Sequence, residues 1–277
     1  MRYRLLALDL DGTLLDPSGE ISDAARAAIG RALRSGLRIV LCTGRRFRST
    51  LPIARELGLP GPVVAHNGAL VKDAWTGRTQ AATYLPAALH PEILGALRPH
   101  GPPLVYVDGW PDEDILTEPR GPMHPAQVEY LEQHAEHCRF VASLGAAQRE
   151  DVLMMSVMAD LATLALAETR ALGALGSRVR THRLENRGSR SHILEILAPG
   201  TGKWTALRRV AEAEGIADDE IAAVGDDLND LDLVSHAALG IAMGNAAEDV
   251  RAAADLVVAG HDRDGVAEAI EVVLRAG

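Results

Sequence analysis

Short apolar runs alternate with helical patterns over much of this chain, and that alternation most restricts how it can fold. "RLLALDL" and "LRIVLCTG" have the composition of buried strands. Ser22 followed by "DAARAAIGRALRSG" has the features of an N-capped helix that stops at a glycine. The alternation returns from Lys203 onward. Strands that alternate with helices form parallel βαβ units, so we predict an α/β fold with a doubly wound, mostly parallel sheet.

The middle of the chain lacks this regular alternation. Residues 83–198 begin with a segment crowded with proline and continue with a mixture of strand-like and helix-like stretches. Such a mixture is typical of an α+β domain. We therefore predict that residues 1–82 and 199–277 form one core domain, interrupted by an inserted α+β domain at residues 83–198.

Charge and composition restrict the partners. A formal net charge of −10 argues against a nucleic-acid partner, because such binding depends on Lys and Arg that neutralise phosphates. No uncharged apolar run approaches the roughly 18 residues of a membrane helix, and a secretory signal is not evident. The two cysteines have neither disulfide nor metal-ligand spacing. We expect a cytoplasmic protein with a small-molecule partner, and its oligomeric state is not indicated.

Two carboxylates stand one residue apart where the first apolar run ends, in "LALDLDGTLLD". Residues i and i+2 of an extended segment project to the same side, so Asp9 and Asp11 can face one point. Two carboxylates about 4 Å apart repel by roughly 4 kcal/mol, which a cation or a shared proton must offset. Mg²⁺ takes oxygen ligands and is the candidate we favour. The alternative is an aspartate that only caps a turn before Gly12.

A second acidic cluster, "VGDDLND", also follows an apolar run. If its strand neighbours the first one, Asp226 completes a metal site with Asp9, and Asp230 can hold an outer-shell water or ligand. Asp227 either contributes to this site or caps the turn.

An anion site is predicted beside these acids. In "CTGR", Thr43 offers a hydroxyl and Gly44 offers a main-chain N–H at the start of a helix, where anions bind readily. Three arginines are predicted in the first turns of that helix: Arg45, Arg46 and Arg48. We expect Arg45 to face the ligand. Lys203 begins another helix and can place an ammonium group against a phosphate oxygen.

Seven motifs, in chain order, together resemble the haloacid dehalogenase superfamily, and most of all its Cof-like phosphatases: "DLDGTLL", "CTGR", "HNGA", "GTGKWTAL", "GDDLND", "AMGNA" and "DGVAEAI". The resemblance covers roughly residues 5–72 and 194–270. It implies a Rossmann-like catalytic core, and it implies that the insert at residues 83–198 is the large α/β cap that closes over the site and selects the substrate.

The same resemblance implies a Mg²⁺-dependent phosphatase for small phosphomonoesters, such as a sugar phosphate or a phosphorylated cofactor. Asp9 would be the nucleophile that forms an aspartyl-phosphate. Asp11 would protonate the leaving group and then activate water. Asp9, the main-chain carbonyl of Asp11, and Asp226 would hold the metal.

Further roles follow from the resemblance. Thr43, Lys203 and Asn229 would hold the phosphoryl oxygens, and Asp230 would support the metal shell. Asn67, in "HNGA", either contacts the substrate or shapes a turn. The sequence departs from the family at Trp204, where a small residue is usual, so the packing beside Lys203 stays open.

Other functions use similar residues. A phosphomutase, or a phosphatase dedicated to a glycosylated metabolite, would use the same core. A signalling phosphoacceptor domain also combines acids, a threonine and a lysine around Mg²⁺, but Asp11 and the inserted domain favour turnover. Within the insert, the charged segment "ENRGSRSH" is a weak candidate for substrate contacts through Arg187, Arg190 and His192, and a charged turn is its commoner explanation.

Overall fold

The computed structural model describes residues 2–119, 121–145, 149–186 and 191–276. The chain forms two compact units, one of Met1–Ala82 with Gly202–Gly277 and one of Thr83–Thr201. The strands in the described residues are β1 (Leu5–Leu8), β2 (Arg38–Leu41), β3 (Pro62–Ala65), β4 (Leu70–Asp73), β5 (Thr79–Ala82), β6 (Leu104–Val107), β7 (Ile115–Thr117), β8 (Cys138–Phe140), β9 (Val152–Ala159), β10 (Arg180–Asn186), β11 (Ser191–Leu197), β12 (Ile221–Gly225), β13 (Leu239–Ala242) and β14 (Leu256–Val257). The α-helices are α1 (Asp23–Arg34), α2 (Phe47–Glu56), α3 (His90–Leu97), α4 (Pro125–Gln133), α5 (Leu161–Leu175), α6 (Lys203–Ala213), α7 (Leu231–His236), α8 (Glu248–Ala253) and α9 (Gly265–Arg275).

A five-stranded parallel sheet forms the centre of the first unit, in the order β14-β13-β12-β1-β2. Every residue of β1 and β12 is buried, as expected for strands covered on both faces. From β1 the chain continues to β2 on one side, whereas β12 leads to β13 and β14 on the other. The carboxyl ends of β1 and β12 therefore flank a topological switch point, where open α/β sheets bind ligands.

The predicted α/β class and parallel sheet are confirmed. Ser22 caps α1, since its hydroxyl accepts a hydrogen bond from the N–H of Ala25 at 3.1 Å. The alternation of helices and strands predicted from Lys203 onward is present, although β14 has only two residues. Among the described residues, no helix combines the length and apolar character needed to cross a bilayer.

The strand β3 lies in a different sheet from β1. It pairs antiparallel with β4, which in turn pairs with β5. Its parallel contact with β2 is limited to the Cys42–Val64 bridge and a hydrogen bond from the N–H of Thr43 to the Val64 carbonyl oxygen at 2.9 Å. The β4–β5 hairpin has no clear signal in the sequence, because "LVKD" and "TQAA" contain few apolar residues in alternation.

The prediction that Arg45 and Arg46 lie in the first turn of a helix is wrong. The helix α2 begins at Phe47, and Arg46 is its N-cap with extended dihedral angles (φ −64°, ψ 149°). The Thr43 hydroxyl accepts a hydrogen bond from the N–H of Arg45 at 3.1 Å. Such side-chain bonds offer the main chain an alternative to helical pairing, which explains the later start.

The second unit contains a six-stranded sheet in the order β10-β11-β9-β6-β7-β8. Neighbouring strands are antiparallel except for β7 and β8. Apolar side chains from α3 and α5 form one hydrophobic core with side chains from one face of this sheet, such as Val105, Val157 and Ile196.

Gly68 allows the turn after β3 to approach the start of α6. Its φ is +92°, and a Cβ there would lie 2.1 Å from the carbonyl oxygen of Gly202, the N-cap of α6. We expect Gly68→Ala to lower the free energy of unfolding by at least about 2 kcal/mol, because left-handed strain and a backbone clash combine. Gly215→Ala is the control: its φ is +63° with nothing within 4 Å, so only the strain of about 1 kcal/mol applies. Equal losses for the two variants in urea unfolding would contradict this explanation.

Candidate active site

Asp9 and Asp226 meet because β1 and β12 are paired in parallel register. Leu8 is opposite Val224, and the N–H of Asp9 donates to the Val224 carbonyl oxygen at 3.1 Å. Each aspartate directly follows its strand, and the two are only 4% and 1% exposed. Carboxylate oxygens of Asp9, Asp226 and Asp230 all lie within 4.8 Å of one another. Acids from the two ends of the sequence therefore form one buried cluster.

The turn after β12 holds Asp230. Its Oδ2 accepts hydrogen bonds from the N–H groups of Asp226 at 3.1 Å and Asp227 at 3.2 Å. Gly225 permits this close packing, because a Cβ there would lie 2.5 Å from the Cβ of Asp230. The Asp227 carboxylate accepts a hydrogen bond from the N–H of Leu228 at 2.7 Å, so it caps the turn. Asp230 thus orients the main chain that carries Asp226.

Lys203 connects two of these acids. It is the first residue of α6, it is 1% exposed, and its Nζ donates to Oδ1 of Asp9 at 2.7 Å and to Oδ1 of Asp230 at 2.5 Å. Burial lowers the pKa of Lys203, but attraction to Asp230 and Asp9 and the hydrogen bonds to both raise it overall. Lys203 is therefore an ammonium ion that fixes Asp9 against Asp230.

The charges of this cluster favour a further cation. Burial raises the pKa of Asp9 well above its ordinary value of 3.8; the negative charge of Asp230 raises it further, the Lys203 ammonium opposes the shift, and Asp226 adds to it. Two oxygens on one Mg²⁺ lie at most about 4.2 Å apart, twice a metal–oxygen distance of about 2.1 Å. These oxygens lie within 4.8 Å of one another, so a small shift brings any pair within that limit. In spacing and in donor chemistry the cluster fits a divalent cation.

Two residues to which the sequence analysis assigned no catalytic role hold Asp226 in place. The Thr13 hydroxyl donates to Oδ1 of Asp226 at 3.0 Å. Nδ2 of Asn245 lies 3.3 Å from Oδ2 of Asp226 and donates to the carbonyl oxygen of Gly12 at 2.8 Å. Asn245 lies in "AMGNA", just after β13, the neighbour of β12. Its place at the carboxyl edge of the sheet is the signal that could have identified it.

The Asp11 side chain lies outside the cluster of three acids. Its carboxylate accepts two hydrogen bonds from the Arg45 guanidinium, from Nε at 2.7 Å and from Nη2 at 2.6 Å. These bonds raise the pKa of Arg45. The Asp11 side chain is 51% exposed and that of Arg45 is 33% exposed. The structure therefore places Arg45, predicted as a substrate contact, on the carboxylate predicted as the general acid.

Several of the residues predicted to hold phosphate or to contact the substrate lie on loops that hydrogen bonds join to one another. The N–H of Asn67, a residue with a left-handed φ of +53°, donates to the Thr43 carbonyl oxygen at 3.0 Å. Nδ2 of Asn229 donates to Oδ1 of Asn67 at 2.9 Å. A Cβ on Gly44 would lie 3.0 Å from the same Oδ1, so these loops approach closely. The turn at Asn67 thus links the loop after β2 to the acidic turn after β12.

Trp204 and His192 take no part in these hydrogen bonds. Trp204, the departure from the family pattern, is buried in the core of the first unit and stacks on His236 with ring centroids 5.8 Å apart. Arg187 and Arg190 lie outside the described residues. His192 lies in β11 opposite Ala159.

Removing Lys203 should destabilise the metal-free protein far more than removing Arg45. Lys203→Met leaves Asp9 and Asp230 buried without their cation, which costs about 3–5 kcal/mol of unfolding free energy. Arg45→Met removes an ion pair with a half-exposed carboxylate, which is worth about 1 kcal/mol or less. Urea unfolding of both variants in a metal chelator measures the difference. Losses of the same size would show that Lys203 does not stabilise the cluster in this way.

Comparison with known proteins places the chain in a family. The sequence model of the haloacid dehalogenase-like hydrolases matches residues 6–270. The pyridoxal phosphate phosphatase YbhA of Escherichia coli is 28% identical over 277 residues, covering 98% of each chain. The 5-amino-6-(5-phospho-D-ribitylamino)uracil phosphatase YitU of Bacillus subtilis is 28% identical and covers 95% of this chain and 94% of its own.

A solved structure supports the same family as the sequence relatives. A haloacid dehalogenase-like hydrolase from Bacteroides thetaiotaomicron superposes with a TM-score of 0.83 and 29% identity, covering 98% of this chain and 99% of that one. The match extends over both units, so the fold as a whole is shared. With its paired acidic motifs at the switch point of a parallel sheet, the chain belongs to the haloacid dehalogenase-like hydrolases.

Proposed function

We propose that this protein is a Mg²⁺-dependent phosphatase that hydrolyses small phosphomonoesters through an aspartyl-phosphate on Asp9. The observation that carries the proposal is the buried Asp9 carboxylate, hydrogen-bonded to Lys203 beside Asp226 and Asp230. The relatives named above are phosphatases of small phosphorylated metabolites, which supports the same substrate class here.

In this proposal Asp9, Asp226 and the main-chain carbonyl of Asp11 would hold Mg²⁺. The ion, when bound, neutralises the acids so that an anionic phosphate can approach. Thr13 and Asn245 keep both carboxylate oxygens of Asp226 in a fixed direction. Such bonds from outer residues orient a metal ligand and limit the cost of assembling the site.

The phosphoryl group is held by residues from three loops. Asp9 attacks phosphorus with a carboxylate oxygen, and the bond to the leaving-group oxygen breaks. Lys203 already binds Asp9, so its ammonium is placed to bind a phosphoryl oxygen as well. The Thr43 hydroxyl accepts from the N–H of Arg45, which leaves its hydrogen to be donated. The N–H of Gly44 and the amide of Asn229 are the other donors. Phosphoryl transfer depends chiefly on such positioning and charge neutralisation.

Asp11 supplies and recovers the proton. It protonates the leaving alkoxide, and it then takes a proton from the water that hydrolyses the aspartyl-phosphate, releasing inorganic phosphate and restoring Asp9. In this structure both oxygens of Asp11 are bound to Arg45. The guanidinium therefore competes with the leaving group and with water for the Asp11 carboxylate. Arg45 holds Asp11 in position between turnovers.

We further propose that the second unit selects the substrate. Phosphoryl transfer needs only the residues of the first unit listed above, none of which belongs to Thr83–Thr201. The second unit has its own sheet and its own hydrophobic core. A separate, independently packed unit can vary in sequence without disturbing the chemistry, which suits a role in specificity.

Replacing Asp9 tests the reaction directly. Asp9→Asn removes the nucleophile and keeps the shape of the side chain, so release of phosphate from para-nitrophenyl phosphate with Mg²⁺ should fall on the order of 10³-fold or more. Circular dichroism should show an unchanged fold. Asp219→Asn, at an exposed position of the same unit, is the matched control and should keep wild-type activity.

Two further readouts complete this test. A chelator should abolish wild-type activity, and added Mg²⁺ should restore it. Product analysis should find free phosphate and no isomerised ester, which separates a phosphatase from a phosphomutase. Full activity in Asp9→Asn would refute the proposal.

A further inference from the structure

A loop after β14, at residues 259–264, reaches the segment that carries Asp11, and the proposed function gives this loop no role. β14 is an edge strand of the parallel sheet and is separated from β1 by β13 and β12. The ends of β14 and β1 are therefore about 14 Å apart, at about 4.8 Å for each strand spacing. Nδ1 of His261 nevertheless lies 2.8 Å from the carbonyl oxygen of Leu15, in the segment after β1. The loop thus extends along the carboxyl edge of the sheet.

His261 makes two polar contacts, and the direction of each is determined. A carbonyl oxygen only accepts hydrogen bonds, so Nδ1 of His261 carries a hydrogen and donates to Leu15. The main-chain N–H of His261 donates to Oδ1 of Asn245 at 2.9 Å. The turn that carries His261 is closed by a hydrogen bond from the N–H of Arg263 to the carbonyl oxygen of Gly260 at 2.9 Å. Both donors of His261 therefore have a fixed direction.

Asn245 links His261 to a predicted metal ligand. Because Oδ1 of Asn245 faces the His261 N–H, its Nδ2 faces two oxygens. These are the carbonyl oxygen of Gly12 at 2.8 Å and Oδ2 of Asp226 at 3.3 Å. An amide turned the other way would place oxygen against oxygen and an NH₂ group against an N–H. The N–H of His261 thus determines that Asp226 faces a hydrogen-bond donor.

The 259–264 loop packs against the turn of Asn245 through main-chain contacts. The carbonyl oxygen of Ala259 accepts a hydrogen bond from the N–H of Gly244 at 3.2 Å. A Cβ on Gly265 would lie 2.0 Å from that same oxygen, so a larger residue there would displace the loop. Gly244 belongs to "AMGNA" and Gly265 to "DGVAEAI". Both motifs therefore place the loop, and with it His261, beside Asn245.

The segment after β1 is held at two points by these residues. Its ends are joined by a main-chain hydrogen bond of 2.9 Å, so residues 10–15 form a closed loop. Asn245 binds this loop at Gly12, and His261 binds its last residue. The main-chain carbonyl of Asp11 belongs to the peptide group directly before Gly12. Movement of the closed loop would therefore carry that carbonyl away from the acids that follow β12.

We propose that His261 is a positioning residue for the divalent cation. Its imidazole holds the loop of Asp11 through Leu15. The same contact keeps its N–H directed at Asn245, whose amide donates to Asp226. The inference rests on the proposed Mg²⁺-dependent function. Ligands that are already held in place lose little freedom when the ion binds, so this network raises the affinity of the site for the cation.

Binding of Mn²⁺ without substrate tests this inference, because it does not depend on turnover. The full-length protein is titrated with Mn²⁺, and the electron paramagnetic resonance signal of the free ion gives the Kd. His261→Phe keeps a ring and removes the donor, so it should raise the Kd about three- to tenfold. His261→Asn loses the ring but can place an amide N–H close to the position of Nδ1, so its Kd should be close to that of the wild type.

This pair of variants separates a hydrogen bond from packing. If the ring only fills space, His261→Phe should bind Mn²⁺ as the wild type does and His261→Asn should bind it more weakly. That order would overturn the inference, and so would an equal Kd in both variants. If His261→Phe does not fold, His261→Ala removes the donor without adding volume and should raise the Kd in the same way.

Ser22→Ala is the matched control. The Ser22 hydroxyl donates to Oδ1 of Asp264 at 2.6 Å, so it also binds the 259–264 loop, but it connects the loop to α1. Loss of this bond and of the α1 cap should lower the free energy of unfolding and leave the Kd of Mn²⁺ unchanged. A Kd that rises as much as in His261→Phe would show that general loosening of the loop explains the effect.

The wild-type titration separates this inference from the function on which it rests. If the wild-type protein does not bind Mn²⁺, the proposed metal site and the proposed function are both refuted. If the wild type binds Mn²⁺ and every His261 variant binds it equally well, only the role of His261 is refuted.

Discussion

A buried ammonium ion shared by two aspartates is the interaction on which the rest of this structure depends. Asp9, Asp226 and Asp230 would repel one another strongly because all three are buried. Lys203, delivered by the first turn of α6, binds Asp9 and Asp230 at once. Because Gly68 lets a neighbouring turn approach that helix start, the position of the ammonium depends on backbone packing rather than on a flexible side chain alone.

The proposed site also explains how a protein with a net negative charge can bind phosphate. The net charge of −10 is unfavourable for anions at long range, yet the local donors are a cation, a hydroxyl and a main-chain N–H. Lys203, the hydroxyl of Thr43 and the N–H of Gly44 supply these donors in the proposed mechanism. A divalent cation bound by the acids would then offset their negative charge. Hydrogen-bond donors thus bind the anion and carboxylates bind the cation, as the chemistry of each residue type requires.

Much of this arrangement could be predicted because parallel strands end at a common edge. That rule brought Asp9 and Asp226 together from motifs far apart in sequence, and the structure pairs their strands. It could not predict the Arg45 pairing with Asp11, because a loop rather than a helix carries Arg45. Polar contacts between loops depend on side-chain directions that no periodicity encodes.

The contact of Asn245 with Asp226 shows a second limit of sequence analysis. The motif "AMGNA" is visible in the sequence, but the residue that Asn245 contacts across the sheet depends on strand order and register, because β13 lies beside β12.

The central claim is that acids from both ends of the sequence bind one divalent cation. Anomalous diffraction from crystals soaked in Mn²⁺, a cation with the same preference for oxygen ligands, locates that ion directly. We predict a single strong peak in the first unit, about 2.2 Å from carboxylate oxygens of both Asp9 and Asp226. A peak that contacts only one of these aspartates, or no peak near either of them, would contradict it.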